Sequence, residues 1–206
     1  MSTLPAIDPA RTAVVTIDMH RGHLDPAVAT MPIPADRAAE VTEHSAAIIR
    51  ELRDRGLPVI HVVTSYSAVE EISANPWWAS VAGTGATRAN VLRHQLPGSP
   101  GLQVMPSVLD ESDVIIYGKK RYDCFYLTPL ELALRSRGIE TVILFGINTN
   151  SCVLATTIAA NVRDFTVVVA SDGVDTMDRR LHEPALAVIA QAFGWVATGA
   201  EIVAAL

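Results

Sequence analysis

Gly146-Ile147-Asn148-Thr149-Asn150-Ser151-Cys152-Val153 is a polar turn set between two apolar runs. Ahead of it, Thr141-Val142-Ile143-Leu144-Phe145 has the unbroken apolar pattern of a strand buried on both faces. From Val153 onward, Leu154-Ala155-Thr156-Thr157-Ile158-Ala159-Ala160 reads as a helix packed against that sheet. The glycine, two asparagines, threonine and serine between them supply turn and N-cap chemistry. Cys152 therefore falls at the first turn of a helix, at the carboxyl end of a strand, where open α/β sheets place their ligands. Unpaired backbone N–H groups and the positive end of the helix dipole favour thiolate there. The same residue also reads as a small apolar filler, because free cysteine is often simply buried.

Working outward, the same alternation recurs. Thr12-Ala13-Val14-Val15-Thr16-Ile17 is a first buried strand, followed at once by Asp18. A helix over 37–55 carries Ala38, Val41, Ile48, Ile49 and Leu52 at helical spacing and stops at Gly56. Further strands are predicted over 58–63, 113–117, 164–170 and 195–197. Helices follow Thr128 and Pro129, then run over 180–193 and 200–206. Strands alternating with helices give a three-layer α-β-α fold: a mostly parallel sheet of about six strands, covered on both faces. One domain over 1–206 is expected. Its exception is the stretch from 64 to about 101, where the pattern weakens; an insert that long is usually functional or a lid.

Composition narrows the classes. Among 206 residues, half are hydrophobic and 18% charged, enough for a sizeable core and too apolar for a disordered chain. The net charge is −6 and no basic cluster exceeds Lys119-Lys120-Arg121, so no nucleic-acid partner is expected. No uncharged apolar run reaches the ~18 residues of a membrane span, and the start lacks a secretory pattern. Two cysteines, Cys124 and Cys152, imply neither a disulfide framework nor a zinc knuckle. A reduced, cytoplasmic protein is the expectation.

Asp18, Lys119 and Cys152 each stand at the end of a different predicted strand. In a parallel sheet those ends share one edge, so an acid, an amine and a thiol can converge. These are the parts of nucleophilic acyl transfer. Cysteine attacks a carbonyl carbon, aspartate moves the proton, lysine keeps the carboxylate ionised, and turn N–H groups bind the oxyanion.

With these motifs in place, the chain resembles the isochorismatase-like cysteine hydrolases, a group that includes nicotinamidases, N-carbamoylsarcosine amidases, ureidoacrylate amidohydrolases and biuret hydrolases. The resemblance rests on Val14-Val15-Thr16-Ile17-Asp18-Met19, on Lys119-Lys120-Arg121-Tyr122-Asp123-Cys124-Phe125 with Thr128 and Leu130, and on the Cys152 turn. It spans about 10–200. It implies a triad of Asp18, Lys119 and Cys152, a cis peptide between Ile147 and Asn148, and an oxyanion hole from the N–H groups of Asn148 and Cys152. It also implies a small amide or ureido substrate and a dimeric or tetrameric homo-oligomer. The family lysine stands three before the aromatic, which selects Lys119 over Lys120.

One departure matters. The nicotinamidase metal ligands, an Asp and histidines in the loop after the second strand, have no counterpart in Thr64-Ser65-Tyr66-Ser67-Ala68. The six histidines show no short ligand spacing beyond His20/His23, so neither metal nor cofactor is expected. Candidate substrate contacts are Tyr122 or Phe125 beside the lysine motif, the Trp77-Trp78 pair in the insert, and His23. Roles for His20, Arg21 and His182 stay open.

Overall fold

The structure, a computed structural model, describes residues 4–206. Six strands form one all-parallel sheet: β1 (Thr12–Ile17), β2 (Val59–Thr64), β3 (Val114–Lys119), β4 (Thr141–Ile147), β5 (Thr166–Asp175) and β6 (Trp195–Ala197). Their order is β3-β2-β1-β4-β5-β6. The chain winds outward from β1 through β2 to β3, then crosses to β4 and winds the other way. The reversal lies between β1 and β4, where an open sheet leaves a crevice beyond its carboxyl ends. Asp18 and Cys152 flank that crevice because each directly follows one of the two strands.

The helices are α1 (Arg21–Leu24), α2 (Ala35–Asp54), α3 (Glu70–Ser73), α4 (Pro76–Val81), α5 (Leu130–Arg135), α6 (Leu154–Asn161), α7 (His182–Ala192) and α8 (Gly199–Ala204). One core joins Val15, Ile17, Val142 and Leu144 to Leu130 and Leu134 of α5, Ala159 and Ala160 of α6, and Leu186 and Ile189 of α7. On the opposite face, Val14, Ile143, Phe145 and Val168 pack against Val41, Ile49 and Leu52 of α2 and Ile202 of α8. These are the two helical layers that the patterning predicts. Alternate residues of β1 and β4 feed each core, so both strands read as continuous apolar runs.

The connection after β2 differs from a plain loop. It folds into α3, α4 and single 3₁₀ turns over a third apolar cluster: Met31, Tyr66, Ile72, Trp78 and Val91. Asn75 caps α4 by accepting from the Trp78 N–H, with Pro76 at the first helical position. Strand β5 also runs five residues past its expected end. Asp172 therefore sits within it, accepting from the Gly199 N–H at the start of α8.

Two backbone irregularities shape the functional edge. Gly118, at φ +99°, inserts one residue into β3, so that Thr64 pairs with Lys119 after Val63 has paired with Tyr117. Such a bulge re-aims the side chains beyond it. Tyr117 is 52% exposed, whereas Lys119, two residues on, is 1% exposed. Gly146 opposes Ile17 at φ +128°, and a Cβ there would lie 2.0 Å from the Ile17 carbonyl oxygen. Only glycine lets β1 and β4 approach this closely just before the Cys152 turn. Gly146→Ala combines a backbone clash with a disfavoured φ. It is expected to destabilise the fold by roughly 3 kcal/mol or more, read as a lowered midpoint in urea unfolding with an unchanged slope.

Candidate active site

Asp18 ends β1 in the left-handed region, at φ +53°, a conformation that costs a non-glycine residue energy and clusters at functional sites. Its carboxylate accepts from the Thr64 N–H at 2.9 Å and from Lys119 Nζ at 2.5 Å. Lys119 reaches across from the sheet's edge strand, donating also to Thr64 Oγ1 at 2.8 Å and lying 3.5 Å from Cys152 Sγ. Asp18 and Lys119 are each 1% exposed. The structure thus brings all three strand-end groups into one pocket, along with Asn148, Tyr66, Trp78, Tyr122, Arg88, Arg121, His23 and His94.

The charges follow from geometry. Burial opposes ionisation of Asp18, but the Lys119 ammonium, His20 and His23 outweigh it and hold the carboxyl well below the usual range. Burial likewise disfavours the Lys119 cation, and Asp18 and Cys152 reverse this, raising its pKa. The pair is mutually dependent: removing one partner of a buried ion pair typically costs about 3–5 kcal/mol, because the other charge is left uncompensated. Position at a helix start alone predicts a thiolate at Cys152. Here burial, the largest effect, pushes the thiol up. Lys119 pulls the other way, and Asp18, its hydrogen-bond partner, adds to the rise. Cys152 rests as a neutral thiol beside an ionised carboxylate.

The turn itself is built differently from a simple helix start. Residues Thr149–Val153 form a π-helical turn that leads into α6, and the Ile147–Asn148 peptide is cis, as the resemblance implies. The Ser151 and Val153 N–H groups both donate to the Asn148 carbonyl at 3.1 Å. Asn148 Oδ1 accepts from the Met177 N–H at 3.1 Å, while its buried Nδ2 has no partner among the described residues. Behind the turn, His182 Nδ1 pairs with Thr149 Oγ1 at 3.0 Å, and Arg37 anchors Asp175 at 2.8 Å. His182 therefore supports the turn rather than facing the pocket.

The expected substrate contacts divide. Tyr122 lines the pocket and accepts from Trp78 Nε1 at 2.6 Å. Trp78 is 3% exposed and Trp77 65%. Consecutive helical residues diverge by about 100°, so the pair cannot share one face, and Trp77 turns to solvent. Phe125 belongs to the core, 5.8 Å from Phe165, with Cys124 beside it. His23 reaches the pocket; Arg21 instead pairs with Asp25 at 2.7 Å.

The sequence points to the 64–101 insert and to Trp78 within it, but gives no sign of Arg88 or His94. Arg88 donates to Ser151 Oγ at 3.2 Å and lies 4.9 Å over the Tyr122 ring. Among the described residues no carboxylate forms an ion pair with it. His94 packs against His20 and His23, with centroids 5.5 and 4.7 Å away, and His20 stacks on His23 at 4.7 Å. Burial lowers all three imidazoles, His20 to about 3 and His23 to about 4, so they are neutral at pH 7. Among the described residues, neither buried ring nitrogen of His20 has a hydrogen-bond partner. A group left so costs about 1–3 kcal/mol.

These environments order the two thiols. Cys152 opens on the pocket, whereas Cys124 is fully buried. Iodoacetamide followed by peptide mass spectrometry is expected to label Cys152 well before Cys124. Because burial raises the Cys152 thiol, the rate rises about tenfold per pH unit through neutrality and beyond the ordinary thiol range. Equal labelling of both, or a rate flat above pH 7, contradicts this arrangement.

Comparison with known proteins bears on what this edge belongs to. A ureidoacrylate amidohydrolase of Methylobacterium radiotolerans is 29% identical over 98% of this chain and 81% of its own length. A maleamate amidohydrolase of Pseudomonas putida is 24% identical over 91% and 83% respectively. A cysteine hydrolase structure from Pseudomonas syringae superposes with a TM-score of 0.86, covering 98% of this chain and 95% of that one, at 23% identity. Residues 12–201, from the first residue of β1 into α8, match the isochorismatase domain, and the chain belongs to the isochorismatase family of hydrolases.

Proposed function

We propose that the protein hydrolyses the C–N bond of a small amide or ureido compound through a thioester on Cys152. The observation that carries this is the meeting of Asp18, Lys119 and Cys152 in one buried pocket, with Lys119 Nζ 2.5 Å from the carboxylate and 3.5 Å from the sulfur.

Asp18 takes the thiol proton as sulfur attacks the carbonyl carbon, so the thiolate forms only as it reacts. Lys119 keeps Asp18 ionised in the resting state and stabilises negative charge on sulfur. The oxyanion of the tetrahedral intermediate is held by the N–H groups of Asn148 and Cys152. Collapse passes the proton from Asp18 to the leaving nitrogen, releasing ammonia or an amine and leaving the thioester. Asp18 then removes a proton from water, which attacks the thioester. The acid is released and the proton returns to sulfur. Arg88 fits a substrate with a carboxylate at its far end, since its guanidinium lines the pocket without an ionic partner. Tyr122 and Trp78 wall the planar middle. The relatives named for ureidoacrylate and maleamate, both small anionic amides, agree with that reading.

Ammonia release from a panel of small amides, with and without a carboxylate, identifies the substrate. With it, Cys152→Ala is expected to abolish turnover while circular dichroism is unchanged. Asp18→Asn is expected to lower kcat by about 10²–10⁴, and Arg88→Ala to raise KM chiefly for anionic substrates. Undiminished hydrolysis by Cys152→Ala rejects the mechanism.

A further inference from the structure

We infer that His20, His23 and His94 form a binding site for one divalent cation of the zinc class, beside the triad. One ring nitrogen from each lies within 4.8 Å of those of the other two. None belongs to the loop just after β2, where the resemblance places nicotinamidase ligands. Instead His20 precedes α1, His23 lies within it, and His94 arrives from the far end of the connection that carries α3 and α4.

The surroundings are those of imidazole ligands. His23 Nδ1 donates to the Met31 carbonyl at 2.6 Å, which fixes the tautomer and leaves Nε2 with a free lone pair. His94 Nδ1 is engaged by Thr30 Oγ1 at 2.7 Å, again leaving Nε2. His20 is fully buried, and neither nitrogen is bonded among the described residues; its Nε2 is 3.7 Å from Asp18 Oδ1, beyond a hydrogen bond. Packing alone gives no reason for a polar ring to be enclosed with both nitrogens unused. The space is held open by Gly22, where a Cβ would lie 3.1 Å from His20 Nδ1 and 2.5 Å from Gln95 Oε1.

Three imidazoles without thiolate or carboxylate favour zinc, cobalt, nickel or copper over magnesium or calcium. A tetrahedral ion ~2.0–2.1 Å from each nitrogen needs the nitrogens about 3.4 Å apart. Binding therefore draws the rings together by an ångström or so, with the His94 connection closing toward α1. Three protein ligands leave one position for water on the side of the pocket, which His23 and His94 also line.

The test is binding rather than turnover. Full-length protein is stripped with a chelator and desalted, then titrated with Zn²⁺ by calorimetry and with Co²⁺ by visible absorption. One equivalent of each is expected, with cobalt bands of a four- or five-coordinate nitrogen site and no sulfur charge-transfer band. Zn²⁺ raises the melting temperature of the stripped protein. His23→Gln and His94→Gln each weaken affinity at least about tenfold, and Cys152→Ala leaves it unchanged. Metal-free circular dichroism and melting show that each variant is folded, and His20→Gln substitutes for one that is not. The inference is overturned by the absence of stoichiometric binding, by full affinity in the histidine variants, or by affinity lost only with Cys152. It stands or falls independently of the amide chemistry.

Discussion

A buried ammonium held 2.5 Å from a buried carboxylate is the constraint around which this molecule is arranged. Neither Lys119 nor Asp18 is stable in its charged form at that depth alone, and each supplies the field that keeps the other ionised. The pair also sets the state of the third group. Cys152 sits against one positive and one negative charge, and burial outweighs the cation, leaving a protonated thiol. The site thus holds a neutral thiol beside an ionised carboxylate, one proton transfer away from thiolate.

The sheet makes this arrangement possible. With β1 and β4 adjacent at the winding reversal, Asp18 and the Cys152 turn lie side by side despite a sequence separation of 134 (152 − 18). Lys119 comes from β3, two strands from β1, and needs the extra residue at Gly118 to turn inward across Thr64. Thr64 serves both groups: its N–H donates to Asp18 and its hydroxyl accepts from Lys119. Away from the pocket, toward the amino ends of the strands, His61 joins Thr16 to Asp113, and Arg53 grips Asp113 with two hydrogen bonds. That network ties α2 to the start of β3 and leaves His61 no part in the pocket.

Much of this was legible in the residues because its causes are local. Strands buried on both faces write themselves as apolar runs, and a polar residue at the end of such a run has little packing reason to be there. Asp18 and Cys152 stand out for that reason, and Lys119 through its motif. What escaped reading depends on contacts distant in sequence. Trp77 and Trp78 are neighbours in the chain, yet α4 sends one to solvent and one against Tyr122. His94 shows no ligand spacing to His20 or His23, because 71 positions separate it from His23 (94 − 23). Arg88 carries no local mark distinguishing it from a solvated arginine. Helix position favours thiolate at Cys152, whereas desolvation, which depends on the whole enclosing shell, raises its pKa.

The most direct test of the central claim is partitioning of the acyl group between water and hydroxylamine. Two amides sharing one acyl group but releasing different amines are turned over in the presence of hydroxylamine, and hydroxamate and free acid are quantified. A common thioester on Cys152 predicts the same hydroxamate-to-acid ratio from both, whatever their relative rates. A ratio that changes with the leaving amine, or turnover with no hydroxamate at any hydroxylamine concentration, contradicts an acyl intermediate on that sulfur.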